Sequence, residues 1–458
     1  MQEKRFRLKN NIKFHRINKK YIVINPDFAN WFVINKDAKS LLKKLDGSKS
    51  IKEIEKNINY DKKTIDRLIS ALSDGNFLMN DDEDNSKPFL NIKYWPPYHI
   101  FLNITDDCNY RCLYCYNTSG VTRNYMDQQT AQKIIEQMIN LPNNKVCILI
   151  HGGEPLLNFP LIKNIVEYIK LTKCNKKIEL FIQTNASLMN DEIAKFLNDS
   201  GIQISISLDG SEKTHNKWRQ YENSKGTYYD TMKGIDILNR NHVKYNVLTV
   251  LTSANYSKTG KVVEHFYKQG IDLMGIAYFN PAGRGYKNKS QIQISSNQLY
   301  IAMMNLLRKL IKYNGKIKER TISSLLLNIL TKKRKNLCMR SPCGAGTSLL
   351  SFTPQGDIYP CDDFRHINEF KIGNIWDGDL LNILEKSPVI ASFSKRVVDN
   401  ISKCRECEWK WICCGGCAAR AFWTYNTLWK EDPLCDYFKK IIPAMIKVIS
   451  QKNITYLI

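Results

Sequence analysis

HIFLNITDDCNYRCLYC, residues 99–115, is the stretch on which the reading of this chain turns. It opens with an apolar run of strand length, 99–104, and then sets Cys108, Cys112 and Cys115 in the spacing C-x3-C-x2-C. A 4Fe-4S cluster is held by thiolates, and four close its coordination. Three local thiolates leave one iron open to a small molecule carrying an amine and a carboxylate. Zinc also takes cysteines at short spacings, but its sites usually close with a second nearby pair, and none follows in this stretch.

Working outward, apolar strand candidates alternate with amphipathic helices from about residue 97 to 305. The strands are expected at 99–104, 146–150, 178–182, 203–208, 245–251 and 271–278, and 126–139 carries an apolar stripe at helical spacing. Six such repeats predict an α/β fold whose parallel sheet is closed or nearly closed into a barrel. Chemistry in such folds gathers at the carboxyl ends of the strands. The three cysteines follow the first strand, HGGEP (151–155) the second, Thr184 and Asn185 the third, and SLDG (207–210) ends the fourth.

NYRCLYCY at 109–116 closely resembles the signature of radical S-adenosylmethionine (SAM) enzymes, and HGGEP resembles their GGEP motif. The resemblance implies a partial (β/α)6 radical SAM barrel, SAM as cofactor, and a 4Fe-4S cluster on Cys108, Cys112 and Cys115. It implies that Gly152, Gly153 and Glu154 bind the amino group of the cofactor's methionine moiety. Thr184, Asn185, Ser207 and Arg219 would contact its ribose or carboxylate, although each also fits an ordinary turn or cap. His151 stands where some relatives place a substrate-contacting Gln, or is a satisfied structural histidine.

The region 338–458 carries Cys343-x12-Gly356-x4-Cys361, Cys404-x2-Cys407-x5-Cys413-x3-Cys417 and Cys435. With CGAGTSLLSFTPQGDIYPC at 343–361, this resembles the SPASM domain of radical enzymes that modify peptides. The resemblance implies two auxiliary 4Fe-4S clusters, three clusters in all. Cys343, Cys361 and Cys417, with Cys338 as candidate fourth member, would hold one; Cys404, Cys407, Cys413 and Cys435 would hold the other. Some thioether-forming relatives leave the Cys338 position open for a substrate cysteine. Cys147, Cys174 and Cys414 are surplus and are expected to be inert thiols. Asp362 follows Cys361 as an aspartate does in anaerobic sulfatase maturases, where it acts as a base; the alternative is an exposed turn residue.

Residues 1–80 read as a small separate module. Strands are expected at 12–17, 21–24 and 31–34, then a helix from Lys36 ended by Asp46-Gly47, a helix at 51–58, and a third capped by Asp61 with Ile65, Leu68, Ile69 and Leu72 on one face. That order is winged-helix-like. The module holds 18 Lys and Arg against 9 Asp and Glu. Residues 81–96 read as a linker, and 306–337 as a connecting helical segment. The module resembles the recognition element of enzymes that mature ribosomally made peptides, in which a leader segment adds a strand to the sheet edge and packs on the third helix. DNA is the rival partner for a basic winged-helix fold. A tethered substrate tag raises effective concentration, which favours the peptide.

The 458 residues, 43% hydrophobic, suffice for two or three domains. Fourteen cysteines in so long a chain suit metal ligation in a reducing compartment better than a secreted disulfide framework. The N-terminus has charge where a secretory apolar core would stand, and no run reaches the length of a membrane span, so a cytoplasmic protein without a membrane partner is expected. A net charge of +24 suits an acidic partner or merely a solvated surface. The expected activity is radical modification of a ribosomally synthesised precursor peptide, with a thioether between cysteine sulfur and carbon as first choice of product. Formylglycine formation, other carbon-centred cross-links and epimerisation are alternatives. A flavodoxin or ferredoxin would supply electrons. The reading from a different class is a zinc-ribbon protein that binds nucleic acid.

Overall fold

The computed structural model describes residues 5–55, 60–79, 96–365 and 367–458. The expected linker at 81–96, but for Pro96, and the expected end of the second helix at 56–58 lie outside these residues. The N-terminal part begins with β1 (Arg5–Arg7) and an antiparallel meander of β2 (Lys13–Ile17), β3 (Lys20–Asn25) and β4 (Asn30–Ile34). Then come α1 (Lys36–Lys43), β5 (Asp46–Ser50), α2 (Ile51–Glu55) and α3 (Lys62–Asp74). Asp46-Gly47, expected only to stop a helix, opens β5, which pairs with β1. Asp61 caps α3 by accepting the Thr64 amide at 2.8 Å.

Period-two alternation in β3 gives its two faces different cores. Val23 packs with Leu41, Leu42, Ile65 and Leu72 inside the module, whereas Ile22 and Ile24 join the main hydrophobic core of the molecule. The module expected to stand apart is therefore packed on both faces of its sheet.

The main body is built on β6 (His99–Asn103), α4 (Gln128–Asn140), β7 (Lys145–His151), α5 (Phe159–Leu171), β8 (Lys177–Thr184), α6 (Asp191–Asp199) and β9 (Gln203–Ser207). It continues through α7 (Glu212–Asn216), α8 (Tyr228–Arg240), β10 (Tyr245–Leu251), α9 (Thr259–Lys268) and β11 (Leu273–Tyr278). Each strand pairs in parallel with the next in sequence. Ile148 and Ile150 of β7 are fully buried toward the helices, where Ile134, Ile135 and Met138 of α4 meet them in one core. Leu149 and His151 alternate onto the other, partly accessible face.

Beyond β11 follow α10 (Gly283–Lys287), α11 (Lys289–Ile292), α12 (Ser296–Lys312), β12 (Lys318–Glu319) and α13 (Arg320–Leu330). β12 extends the sheet at one end. At the other end the C-terminal region contributes β13 (Leu349–Phe352), β14 (Asp357–Tyr359) and β15 (Gly373–Asn374), giving the linear order β12-β11-β10-β9-β8-β7-β6-β13-β14-β15. The sheet is thus open, not a closed ring. β13 runs parallel to β6, with Leu349 opposite His99 and Phe352 opposite Leu102. No described helix is long and apolar enough to cross a membrane.

Candidate active site

The loops after β6 and β7 are joined backbone to backbone. Gly153 and Glu154 donate their amides to Thr105 O (2.8 Å) and Asp107 O (2.9 Å). A Cβ on Gly152, whose φ is +134°, would stand 2.1 Å from Thr105 O, and one on Gly153 would stand 1.9 Å from Asp107 O. The close approach these glycines permit is to the chain leading into Cys108.

Glu154 is buried and fastens β7 to β8. Its Oε1 accepts from Thr184 Oγ1 (2.6 Å) and the Leu156 amide (3.2 Å), and its Oε2 from the Asn185 amide (2.7 Å). Burial pushes its pKa up to about 7, against these donors. A carboxylate has about four acceptor sites, so capacity remains for an ammonium group. Asn185 also donates to Asn109 Oδ1 inside the cysteine loop at 2.9 Å. Ser207, at the end of β9, accepts from Gln183 Nε2 at 2.9 Å.

Arg219 is buried between Asp209, whose Oδ2 its Nε reaches at 3.0 Å, and Cys112, whose Sγ its Nη1 reaches at 4.0 Å. Tyr114 OH donates to the same Asp209 oxygen at 2.6 Å. Arg284 donates to Cys112 O (3.1 Å) and Ser119 O (2.7 Å). Burial pushes the Cys112 thiol up to about 11 despite Arg219, and raises Cys108, with the neighbouring thiols and Glu154 adding to it. Such thiols ionise when a metal displaces the proton, and the guanidiniums would then face anionic sulfur.

The C-terminal thiols fall into two groups. Burial raises these thiols most; beyond it Cys343 and Cys417 face Cys338, Cys338 and Cys343 face Cys361, and Cys343 faces Cys417, with Asp363 beside all three, whereas Cys435 and Cys407 face Cys404, Cys407 and Cys404 face Cys413, and Cys407 faces Cys435. Among the described residues no three His, Cys, Asp or Glu side chains converge as a single ion requires. Cys414 also faces Cys413, and its Sγ lies 3.4 Å from Trp411 O.

Asp362 is no surface turn. It is 3% exposed, and its Oδ1 accepts from Asn103 Nδ2 and Ser351 Oγ, both at 2.8 Å. Tyr116 OH donates to Oδ2, and His151 Nδ1 stands 3.8 Å from the same oxygen. Arg365 lies 3.9 Å away and also pairs with Asp106 at 3.3 Å. Although burial opposes it, Arg365, His151 and the hydroxyl donors hold this carboxyl far below its ordinary range. Asn103, Tyr116, Ser351, Asp209 and Arg365 were not singled out, although Tyr116 ends NYRCLYCY, Ser351 lies within CGAGTSLLSFTPQGDIYPC and Asp209 within SLDG.

The N-terminal part carries a groove. It lies between the edge strand β4 and helices α1 and α3, has a volume of about 370 Å³ and is lined by Val33, Ala38, Leu41, Tyr60, Ile65 and Leu68.

The sequence signature of the radical SAM superfamily matches residues 102–266, and that of an iron-sulfur cluster-binding domain, SPASM, matches 343–408. An uncharacterised protein of Methanocaldococcus jannaschii, MJ0907, is 32% identical over 286 residues, 62% of this chain and 91% of the relative. This chain belongs to the radical SAM superfamily. As a radical SAM enzyme with a SPASM domain it uses SAM and iron-sulfur clusters, and its open parallel sheet with four occupied strand ends has the form that chemistry needs. The cysteine-type anaerobic sulfatase-maturating enzyme of Clostridium novyi is 27% identical over 76% of the chain and 94% of that enzyme. In fold, the chain matches Streptococcus suis SuiB bound to precursor peptide SuiA with a TM-score of 0.57 and 18% identity, over 93% of the chain and 98% of SuiB.

Proposed function

We propose that this enzyme modifies a ribosomally synthesised precursor peptide, held by its leader in the groove between β4 and α3, and joins a cysteine sulfur to a carbon of the same peptide. The observation that carries the reading is the pairing of β13 with β6. It sets Cys361 and Asp362 of the C-terminal region beside the strand ends that carry the first cysteine loop. A cluster held in part by Cys361 would then lie on the side of the sheet where a substrate radical would form. The similarity to SuiB, which has been seen with a precursor peptide, supports a peptide substrate.

In this reading Cys108, Cys112 and Cys115 hold the first 4Fe-4S cluster, and Glu154 uses its remaining acceptor site for the ammonium of SAM. When bound, cluster and SAM supply a 5'-deoxyadenosyl radical that removes one hydrogen atom from the peptide. Thr184 and Asn185 hold Glu154 in place, and Arg219 and Arg284 offset negative charge on the cysteine loop. Cys338, Cys343, Cys361 and Cys417, and Cys404, Cys407, Cys413 and Cys435, would hold auxiliary clusters able to take up the surplus electron, and a flavodoxin or ferredoxin would be the electron donor. The edge of β4 offers unpaired backbone groups to a leader strand, and the apolar groove beside it takes alternate side chains.

Oxidation of a cysteine or serine to formylglycine is the second reading, favoured by the likeness to the C. novyi enzyme along 94% of its length. Mass spectrometry of a precursor encoded near this gene, co-expressed anaerobically, separates them. A carbon–sulfur cross-link with loss of two hydrogens supports the first reading; an aldehyde at a single residue replaces it with the second.

A further inference from the structure

We infer that His151 is a catalytic residue of this enzyme, its Nε2 taking the proton that the substrate thiol releases while Asp362 steadies the ring from behind. The inference rests on the thioether reading above. His151 ends β7 on the face of the sheet that holds Asn103 and Phe101, and Phe101 meets its ring edge-to-face at 5.8 Å. Nδ1 is sealed from solvent, has no hydrogen-bond partner among the described residues, and stands 3.8 Å from Asp362 Oδ2. The side chain keeps 15% of its surface accessible all the same. With Nδ1 sealed, that accessible surface belongs to the rest of the ring, where Nε2 is the one nitrogen left for a substrate at the strand ends. Hydrogen bonds of this type are often long in the free enzyme and tighten when substrate arrives.

Asp362 by itself is a poor proton acceptor, because Asn103, Ser351 and Tyr116 already donate to it. The charged and titratable groups facing His151 are Asp362, Tyr116 and Arg365, the last paired with Asp106. Burial, with Arg365 against the pull of Asp362, keeps the imidazole pKa below its ordinary value, so the ring is neutral and basic at neutral pH. The step balances. The carbon radical and the thiol form one C–S bond, the S–H bond breaks, its proton goes to Nε2, and one electron passes to an oxidised iron-sulfur cluster of the C-terminal region.

The test measures the ratio of cross-linked peptide to 5'-deoxyadenosine from pH 5.5 to 8.5 in wild type, His151→Gln and His151→Asn. General bases contribute about 10²–10⁴-fold. The ratio is expected to fall at least about tenfold in both variants while 5'-deoxyadenosine still forms, and the acid limb of the wild-type profile is expected to vanish. An unchanged ratio and profile in both variants overturns the inference. Independently, NMR titration of the cluster-free chain is expected to show the His151 signal titrating below 6.5 and moving to still lower pH in Asp362→Asn. No movement overturns the coupling to Asp362. A wild type that cross-links no peptide at any pH counts against the proposed function, and the titration then still decides whether the pair is coupled.

Discussion

Cys112 is the residue on which the proposed first cluster is most directly tested. Burial pushes its thiol up to about 11, so a thiolate there would need a cation beside it at neutral pH. Cys112→Ala is expected to abolish 5'-deoxyadenosine release and to lower bound iron after anaerobic reconstitution; retained release would show that the cluster lies elsewhere. Gly153 is constrained on purely steric grounds, since an added Cβ would meet Asp107 O at 1.9 Å. Gly153→Ala is expected to cost about 1–3 kcal/mol of stability by forcing the two loops apart. Thermal denaturation reads this, and a melting temperature equal to wild type would show that the two loops part easily.

Among the elements, the ends of β7 and β8 are tied by Glu154, and the tie depends on pH. Its pKa in the folded chain is about 7, against 4.5 for the free side chain. Between those values the folded state holds a proton that the unfolded state has released, so stability declines as pH rises through this window and levels off above it. The difference amounts to about 3 kcal/mol at most. In the cluster-free chain Glu154→Gln is expected to flatten that decline, measured as the difference in melting temperature between variant and wild type from pH 4.5 to 7.5. Parallel curves would show that Glu154 is ionised throughout. The six barrel strands were legible because each is a run of apolar and β-branched residues between turns, and all six lie within two residues of their expected ends. β5 was not legible: DGSKS has no apolar pattern, and it is a strand because β1 lies beside it.

Across the whole molecule, the N-terminal part is bolted down at several points. Trp31 Nε1 donates to Ile329 O (2.8 Å), Lys410 Nζ bridges Asp27 (3.1 Å) and Asp399 (3.0 Å), and His15 meets Trp409 edge-on. Deleting residues 1–80 would also strip Ile22 and Ile24 from the main core, so blocking the groove is the sharper probe of leader binding. Leu68→Glu is expected to slow modification of a leader-bearing peptide by a factor on the order of 10 or more, through lost effective concentration, with turnover of a leaderless peptide equal to wild type. An equal loss on both peptides would show that the groove serves the fold alone. The radical SAM barrel, the motifs at its strand ends and the cysteine spacings were all determined by sequence alone, because periodicity and short spacing are local properties. Tertiary structure alone decided that β13 lies beside β6, and so that Asp362 meets Tyr116 and Asn103, 246 and 259 residues away. It decided, too, that His151 faces that carboxylate and that β3 serves two cores. A short apolar strand such as LLSF carries no mark of the neighbour it will pair with; shape and burial of the assembled sheet choose it.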